Sequence, residues 1–191
     1  VIEYVLKPVS AIELTEILRK VHDSLDRELE KKRDIERLRR GYLASLPIIR
    51  EQFLSGLIHK SLPKKDIEYA LNEYEINFKD ADRYMEAALH IDSHKSSISQ
   101  KELIPLWVKE NLQVNLKNKL RAEVFSVYPE SSIVIIAGLN KGISKNYLMF
   151  ILSEAIRDAD RTIGVKLSIG LGISVAKIEN IYKSYTLAKE A

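Results

Sequence analysis

Apolar residues recur at helical spacing near the start of the chain. Ser10 is a predicted N-cap, and Glu13 three residues later completes a capping-box pattern. The apolar positions that follow are Leu14, Ile17, Leu18, Val21 and Leu25. This spacing predicts an amphipathic helix from Ser10 to about Arg40, with its apolar residues in one stripe.

The second half of this helix is strongly charged. Every residue of Asp26–Arg40 is charged except Leu29, Ile35 and Leu38, so this part cannot be a core element. Apolar positions resume in steps of three and four at Ile35, Leu38, Tyr42, Leu46 and Ile49, a spacing that allows two copies to pack along a seam. Glu28 and Lys32 interrupt the heptad, and a single solvated connecting helix is therefore the alternative.

The segment after the charged helix shows weaker helical signals. Gly41 and Pro47 are expected to loosen the chain there. A further helical piece that packs onto a later domain is indicated by Phe53, Leu54, Leu57 and Ile58. Ser61 and Pro63 then predict the start of a short helix, whose buried face carries Ile67, Ala70, Leu71 and Tyr74.

From Arg83 onward, strand and helix patterns alternate. Arg83–Asp92 is a predicted half-buried strand, followed by a helix, the hairpin strands Glu123–Val127 and Ile133–Ala137, and a helix capped by Ser144. A last strand, Val165–Ile173, and a closing helix complete the pattern. This order predicts an α+β fold of ferredoxin-like type, with helices on one side of a mainly antiparallel sheet.

The composition excludes several classes of site and partner. Apolar residues make up 46% and charged residues 30% of the 191 residues, a balance typical of soluble domains. No apolar run approaches the roughly 20 residues that span a bilayer, so we expect a cytoplasmic protein with no membrane partner. The absence of cysteine excludes disulfides and thiolate metal sites, and the net charge of +3 is too small to indicate nucleic-acid binding. We expect no cofactor.

The first residues carry a specific motif. Tyr4-Val5-Leu6-Lys7-Pro8 resembles the last strand of a response-regulator receiver domain, in which an aromatic residue precedes a Lys-Pro pair by three positions. The resemblance implies that Lys7 contacts a phosphorylated aspartate, that Tyr4 moves on activation, and that the following helix belongs to a dimerising face. The remainder of the receiver is expected upstream of Val1, so that the sequence is part of a longer protein.

The segment from about Met85 to Ala191 carries a second resemblance, to the diguanylate-cyclase (GGDEF) fold in a degenerate form. Its closing strand and helix look like Ser168-Ile169-Gly170-Leu171-Gly172-Ile173 and Ser184-Tyr185-Thr186-Leu187-Ala188. The metal-binding Asp-x-Asp of the family reads His90-Ile91-Asp92 here, and histidine is a poor ligand for magnesium. The hairpin turn Tyr128–Ser132 contains Glu130 but no glycine.

These departures predict a domain without catalysis. We expect no cyclase activity, even after His90→Asp, because Glu130 is a lone acid in a turn without the glycines that let the backbone approach the base. A residual nucleotide-binding or cyclase enzyme is the alternative. The Gly170-Leu171-Gly172 stretch lies in a strand rather than before a helix, so it predicts close backbone packing and not a dinucleotide site.

Together the patterns resemble the middle of AraC-type response regulators. We predict a receiver remnant over residues 1–22, a charged helical linker over 23–60 and a degenerate cyclase-like domain over 61–191. The chain is expected to form a homodimer along a seam of Leu14, Leu18, Val21 and Leu25. A sensor histidine kinase and DNA would engage other parts of the protein, and whether the cyclase-like domain binds a small ligand stays open.

Overall fold

A computed structural model describes residues 10–78, 81–93, 103–117, 119–128, 132–142 and 144–190. The chain divides into two compact units, Val1–Pro47 and Ile48–Ala191. Tyr4, Lys7 and Pro8 of the receiver-like motif and Glu130 of the hairpin turn lie outside the described residues.

The first unit consists, where it is described, of the beginning of helix α1, Ala11–His59. The predicted helix is confirmed, but its end near Arg40 is wrong, because α1 continues through Gly41 and Pro47. Proline has no N–H for the bond to the carbonyl four residues earlier, which costs the helix one hydrogen bond. Burial of Leu54, Leu57 and Ile58 farther along α1 offsets that loss.

Helix α2, Lys64–Glu73, is the predicted short helix after Pro63. The carbonyl of Pro63 accepts hydrogen bonds from the N–H groups of Asp66 and Ile67, at 3.0 and 3.1 Å. Ile67 and Ala70 are buried, as the apolar pattern predicted. The turn that follows places Glu75 at a φ of 54°, an uncommon conformation for a residue other than glycine.

The second unit is built on an antiparallel sheet of four strands: β1 Arg83–Ser93, β2 Arg121–Val127, β3 Ser132–Leu139 and β4 Lys166–Leu171. The strand order is β2-β3-β1-β4. The intervening and closing helices are α3 Leu103–Lys117, α4 Lys145–Ile163 and, after a short 3₁₀ turn at Ile178–Asn180, α5 Ile181–Glu190. The predicted α+β class and ferredoxin-like element order are confirmed.

One face of the sheet carries the larger core. Met85, Ala87 and Leu89 of β1 pack there with the buried residues of α3 and α4, so the expected helical layer is present. The other face carries a second core, to which Ala88 belongs together with residues of α1, α2 and α5. Strand β1 is therefore covered on both faces in its middle, and the prediction that it is half-buried is wrong.

Helix α4 has defined ends. The side chain of Ser144, the predicted cap, accepts a hydrogen bond from the N–H of Tyr147 at 3.4 Å. At the other end Gly164 adopts the left-handed conformation, with φ at 63°, which glycine takes without steric cost.

Among the described residues, no helix combines the length and apolar character that crossing a bilayer requires.

Candidate functional site

The predicted nucleotide-site residues lie at the end of β1. His90 is exposed and pairs in register with Ser168 of β4, whose hydroxyl donates a hydrogen bond to the Asp92 carboxylate at 2.5 Å. Leu89 pairs with Ile133, so this end of β1 lies beside the start of β3, where the hairpin turn precedes it. Within the described ranges, no three His, Asp or Glu side chains are arranged to hold a metal ion.

Gly170 in β4 and Gly172 just after it make the close packing that the sequence predicts. A Cβ atom added to Gly170 would lie 1.8 Å from the carbonyl oxygen of Ala188, and one added to Gly172 would lie 2.1 Å from that of Ser184. Residues two apart in a strand and four apart in a helix are both separated by roughly 6 to 7 Å. The two spacings match, which seats α5 directly on the strand backbone.

Ser184 also links α5 to the first strand. Its buried hydroxyl accepts a hydrogen bond from the backbone N–H of Glu86 at 3.0 Å, while the carbonyl of Glu86 accepts one from the N–H of Gly172 at 2.9 Å. The backbone polar groups of Glu86 are therefore paired with α5 and with the segment after β4. The Ser-Tyr-x-x-Ala sequence of the cyclase resemblance thus has a packing role here.

Two ion pairs link the last turns of α1 to strand β2 and to helix α3. One terminal nitrogen of Arg50 donates to both carboxylate oxygens of Glu123 on β2, at 2.9 and 3.0 Å. Glu51 pairs with Lys109 of α3. Burial raises the pKa of Glu123, and the adjacent Arg50 acts in the opposite direction. Because these groups are only partly exposed, removing one partner leaves the other charge poorly solvated.

Apolar packing continues directly behind these ion pairs. Leu54, Leu57 and Ile58 are at most 2% exposed and belong to the core on the α5 face of the sheet. The sequence pattern predicted that this helical piece packs onto the later domain, and the structure confirms it. We define residues 48–59 as the anchor segment of α1.

A buried carboxyl group lies on the same face of the sheet. Glu86 is 0% exposed, and among the described residues neither of its carboxylate oxygens has a hydrogen-bond partner. Ile136 pairs with Glu86 on one side and Glu123 on the other, which places the three residues in one row across β1, β3 and β2. Glu123 is paired with Arg50, whereas Glu86 has no such partner among the described residues, and burial raises its pKa from 4.5 to about 9. Glu86 is thus protonated at neutral pH.

Glu86 makes stability depend on pH. Its folded pKa lies above its unfolded pKa, so the unfolded chain releases this proton first and stability falls as pH rises from about 4.5 to about 9. At pH 7 the free energy of unfolding is therefore about 3 kcal/mol lower than it is below the unfolded pKa of this group. We expect Glu86→Gln to remove this slope and to raise the free energy of unfolding at pH 7, but not at pH 4.5.

Urea denaturation across this pH range measures the effect. Glu190→Gln, at an exposed glutamate in the last turn of α5, is the matched control and should leave the slope unchanged. Equal pH slopes for the wild type and Glu86→Gln would show that the Glu86 carboxyl ionises in the folded protein as it does in the unfolded chain.

Sequence reasoning missed Glu86 and the anchoring ion pairs. In a half-buried strand Glu86 would share the polar face of β1 with Tyr84, His90 and Asp92, but Ala88 on that face is a signal that the face is covered. Nothing in the sequence pairs Arg50 with Glu123, because the two are 73 positions apart.

The seam residues Leu14, Leu18 and Leu25 are each at least half exposed, and Val21 is partly exposed.

Comparison with known proteins adds little. No family model matches the sequence, and no curated protein does. A solved structure described as "a putative amidohydrolase/peptidase from Burkholderia cenocepacia" aligns with 49% of this chain and 28% of its own, at 15% identity and a TM-score of 0.32. The alignment thus spans less than a third of that protein, and similarity this low bears on neither the fold nor the function of this chain.

Proposed function

We propose that the chain is a non-catalytic signal-transmission and dimerisation module of a two-component response regulator that controls transcription. The observation that carries the proposal is that one helix, α1, bears an exposed apolar stripe and also contributes buried residues to a globular core. A helix of this kind can couple the arrangement of a dimer to the packing of a domain.

The stripe has the period of a coiled coil. It runs through Leu14, Leu18, Val21, Leu25, Leu29, Lys32, Ile35, Leu38 and Tyr42. From Leu14 to Tyr42 the chain advances by 28 positions in eight steps of three or four, a mean of 3.5. That period is the heptad value, which keeps a seam facing a partner helix, and Lys32 is its polar member. A strict heptad would put Glu28 in the stripe, but the neighbouring Leu29 can face the partner instead. Lys32 is then the one charged residue in the stripe.

The exposed area supports a second copy as the partner. The leucines and isoleucine of the seam have relative exposures between 50% and 71%. Each leucine that a partner helix covers contributes roughly 1.5 to 3 kcal/mol. A second copy presents the same stripe, so a symmetric dimer buries all of these residues at once.

Transmission would pass through the anchor segment. A rotation or shift of the anchor segment displaces Arg50, Glu51 and Leu54 together, because neighbouring residues of one helix move as a unit. Packed cores and ion pairs resist small displacements and favour discrete arrangements, which makes the anchor segment the candidate two-state element. The receiver-like motif around Lys7 supports phosphorylation as the input, received from a sensor histidine kinase in the cytoplasm by the upstream receiver. A DNA-binding part of the longer protein would carry the output.

A disulfide in the seam tests the coupling. The chain contains no cysteine, so Leu25→Cys introduces a unique thiol that can cross-link two copies at the seam. We expect cross-linking to change hydrogen exchange at Leu54–Ile58 and in β1, because the disulfide fixes α1 in one dimer arrangement. The reduced variant is the matched control. Identical exchange in the cross-linked and reduced forms would contradict transmission through α1.

A further inference from the structure

A cleft of about 510 Å³ opens at one end of the two central strands, where β3 ends and α4 begins. We call it the β3–α4 cleft. It is lined by the start of β1, the connection from β3 to α4 and the residues just after β4. His90 and Asp92 lie at the opposite end of β1, so the cleft is separate from the predicted nucleotide site. Its size is in the range of small-ligand sites.

The cleft contains apolar side chains. Met85 and Leu139 line it and are 2% and 6% exposed, while Ile173 lines it and is 48% exposed. An exposed isoleucine beside two buried apolar residues provides a surface that a hydrocarbon group can cover. Removing such surface from water is the main driving force for binding in clefts of this kind.

Positive charge predominates among the lining residues. Arg83 comes from the start of β1, and Lys141 and Lys145 come from the segment between the end of β3 and the first residue of α4. Asp82 is the opposing acid. Lys141 and Lys145 are exposed, and within the described part of the chain neither is within ion-pair distance of a carboxylate. With three cationic side chains and one anionic side chain, the cleft has a positive electrostatic potential and attracts anions.

Arg83 is held in a fixed position. Its Nε donates to the hydroxyl of Ser174 at 2.7 Å, and one terminal nitrogen donates to the Ser174 carbonyl at 2.9 Å. These contacts use two of the five N–H groups of the guanidinium, and the others are available to an anion. Because Ser174 itself lines the cleft, the contacts keep Arg83 at the edge of it.

We propose that the β3–α4 cleft binds a small organic anion, with a carboxylate or phosphate group near Arg83, Lys141 and Lys145 and an apolar body over Ile173. The apolar lining and the excess of cations both require this amphipathic chemistry, since a purely polar anion would leave Ile173 exposed. In the proposed signalling module such a ligand would be a second input. Binding does not require α1 to dimerise, so the two proposals can fail independently.

Octanoate, octyl phosphate and octanol test the cleft because they share one hydrocarbon chain and differ in charge. Isothermal titration of the purified chain should show saturable binding of both anions and much weaker binding of octanol. Lys141→Glu combined with Lys145→Glu should weaken the binding of both anions about tenfold, through loss of attraction and added repulsion. Octanol binding should be unchanged in that variant.

The matched control is Lys64→Glu combined with Lys65→Glu, which makes the same change in net charge at the first two residues of α2. This control should bind octanoate as the wild type does. Equal weakening by both pairs would attribute the effect to net charge and overturn the proposal. Equal affinity for octanol and octanoate, or no saturable binding of either anion, would also overturn it.

Discussion

Leu18→Asp combined with Leu25→Asp should convert a dimeric chain into a monomer. Both leucines lie in the exposed stripe of α1, with exposures of 60% and 51%. A symmetric dimer buries each of them twice, and each burial contributes roughly 1.5 to 3 kcal/mol. The variant therefore loses several kcal/mol of association free energy and also places like charges across the seam. Sedimentation at increasing salt measures the outcome.

Lys20→Gln combined with Arg27→Gln is the matched control for this experiment. The two positions are also seven residues apart, and the pair changes the net charge by the same amount. Helical spacing places them away from the seam, so the control should remain a dimer. A dimer that dissociates in salt yet tolerates both aspartates would indicate an electrostatic contact. A dimer that tolerates both the added salt and the paired aspartate substitutions would place the interface in the second unit.

Gly170→Ala should strongly destabilise the second unit. Its added Cβ would lie 1.8 Å from the carbonyl oxygen of Ala188 and 2.9 Å from its carbonyl carbon. Both atoms belong to the backbone of α5, so no side-chain rotation can relieve the overlap and the whole helix must shift. Overpacking costs roughly 1 to 3 kcal/mol when side chains can adjust, and we expect about 3 kcal/mol or more here. Urea denaturation measures the change.

Gly56→Ala provides the opposite expectation within the same unit. Gly56 lies in the anchor segment of α1, and an added Cβ would meet nothing within 4 Å. Alanine has the higher helix propensity, so the variant should be more stable by roughly 0.5 to 1 kcal/mol. If Gly170→Ala were as stable as the wild type, α5 would not rest on the backbone of β4 as the structure shows.

The candidate site could be predicted only in part. Asp92 and His90 fall where the pattern of β1 placed them, and the packing role of Gly170 and Gly172 was expected from their place in the predicted closing strand, although β4 ends at Leu171. The ion pair between Arg50 and Glu123 could not be predicted, because polar pairing across 73 residues has no local pattern. The β3–α4 cleft likewise combines segments that are distant in sequence.

The sequence by itself determined the order of strands and helices from Arg83 onward. Period-two alternation in Arg83–Asp92, a helical stripe after Ser144 and turn residues between the hairpin strands are local properties, and each has one compatible backbone. The ferredoxin-like order follows from these elements because few arrangements connect them in a sheet. The apolar stripe of α1 is local as well, and its period can be counted along the chain.

Only the tertiary structure decided which faces are covered and what α1 does at its end. Pro47 is a local signal for a break, but α1 continues because burial of Leu54, Leu57 and Ile58 contributes more than one lost hydrogen bond costs. Glu86 looks like a surface residue in the alternation of β1, yet the anchor segment and α5 contribute to the core on that face. Burial depends on elements distant in sequence, so no local pattern could reveal it.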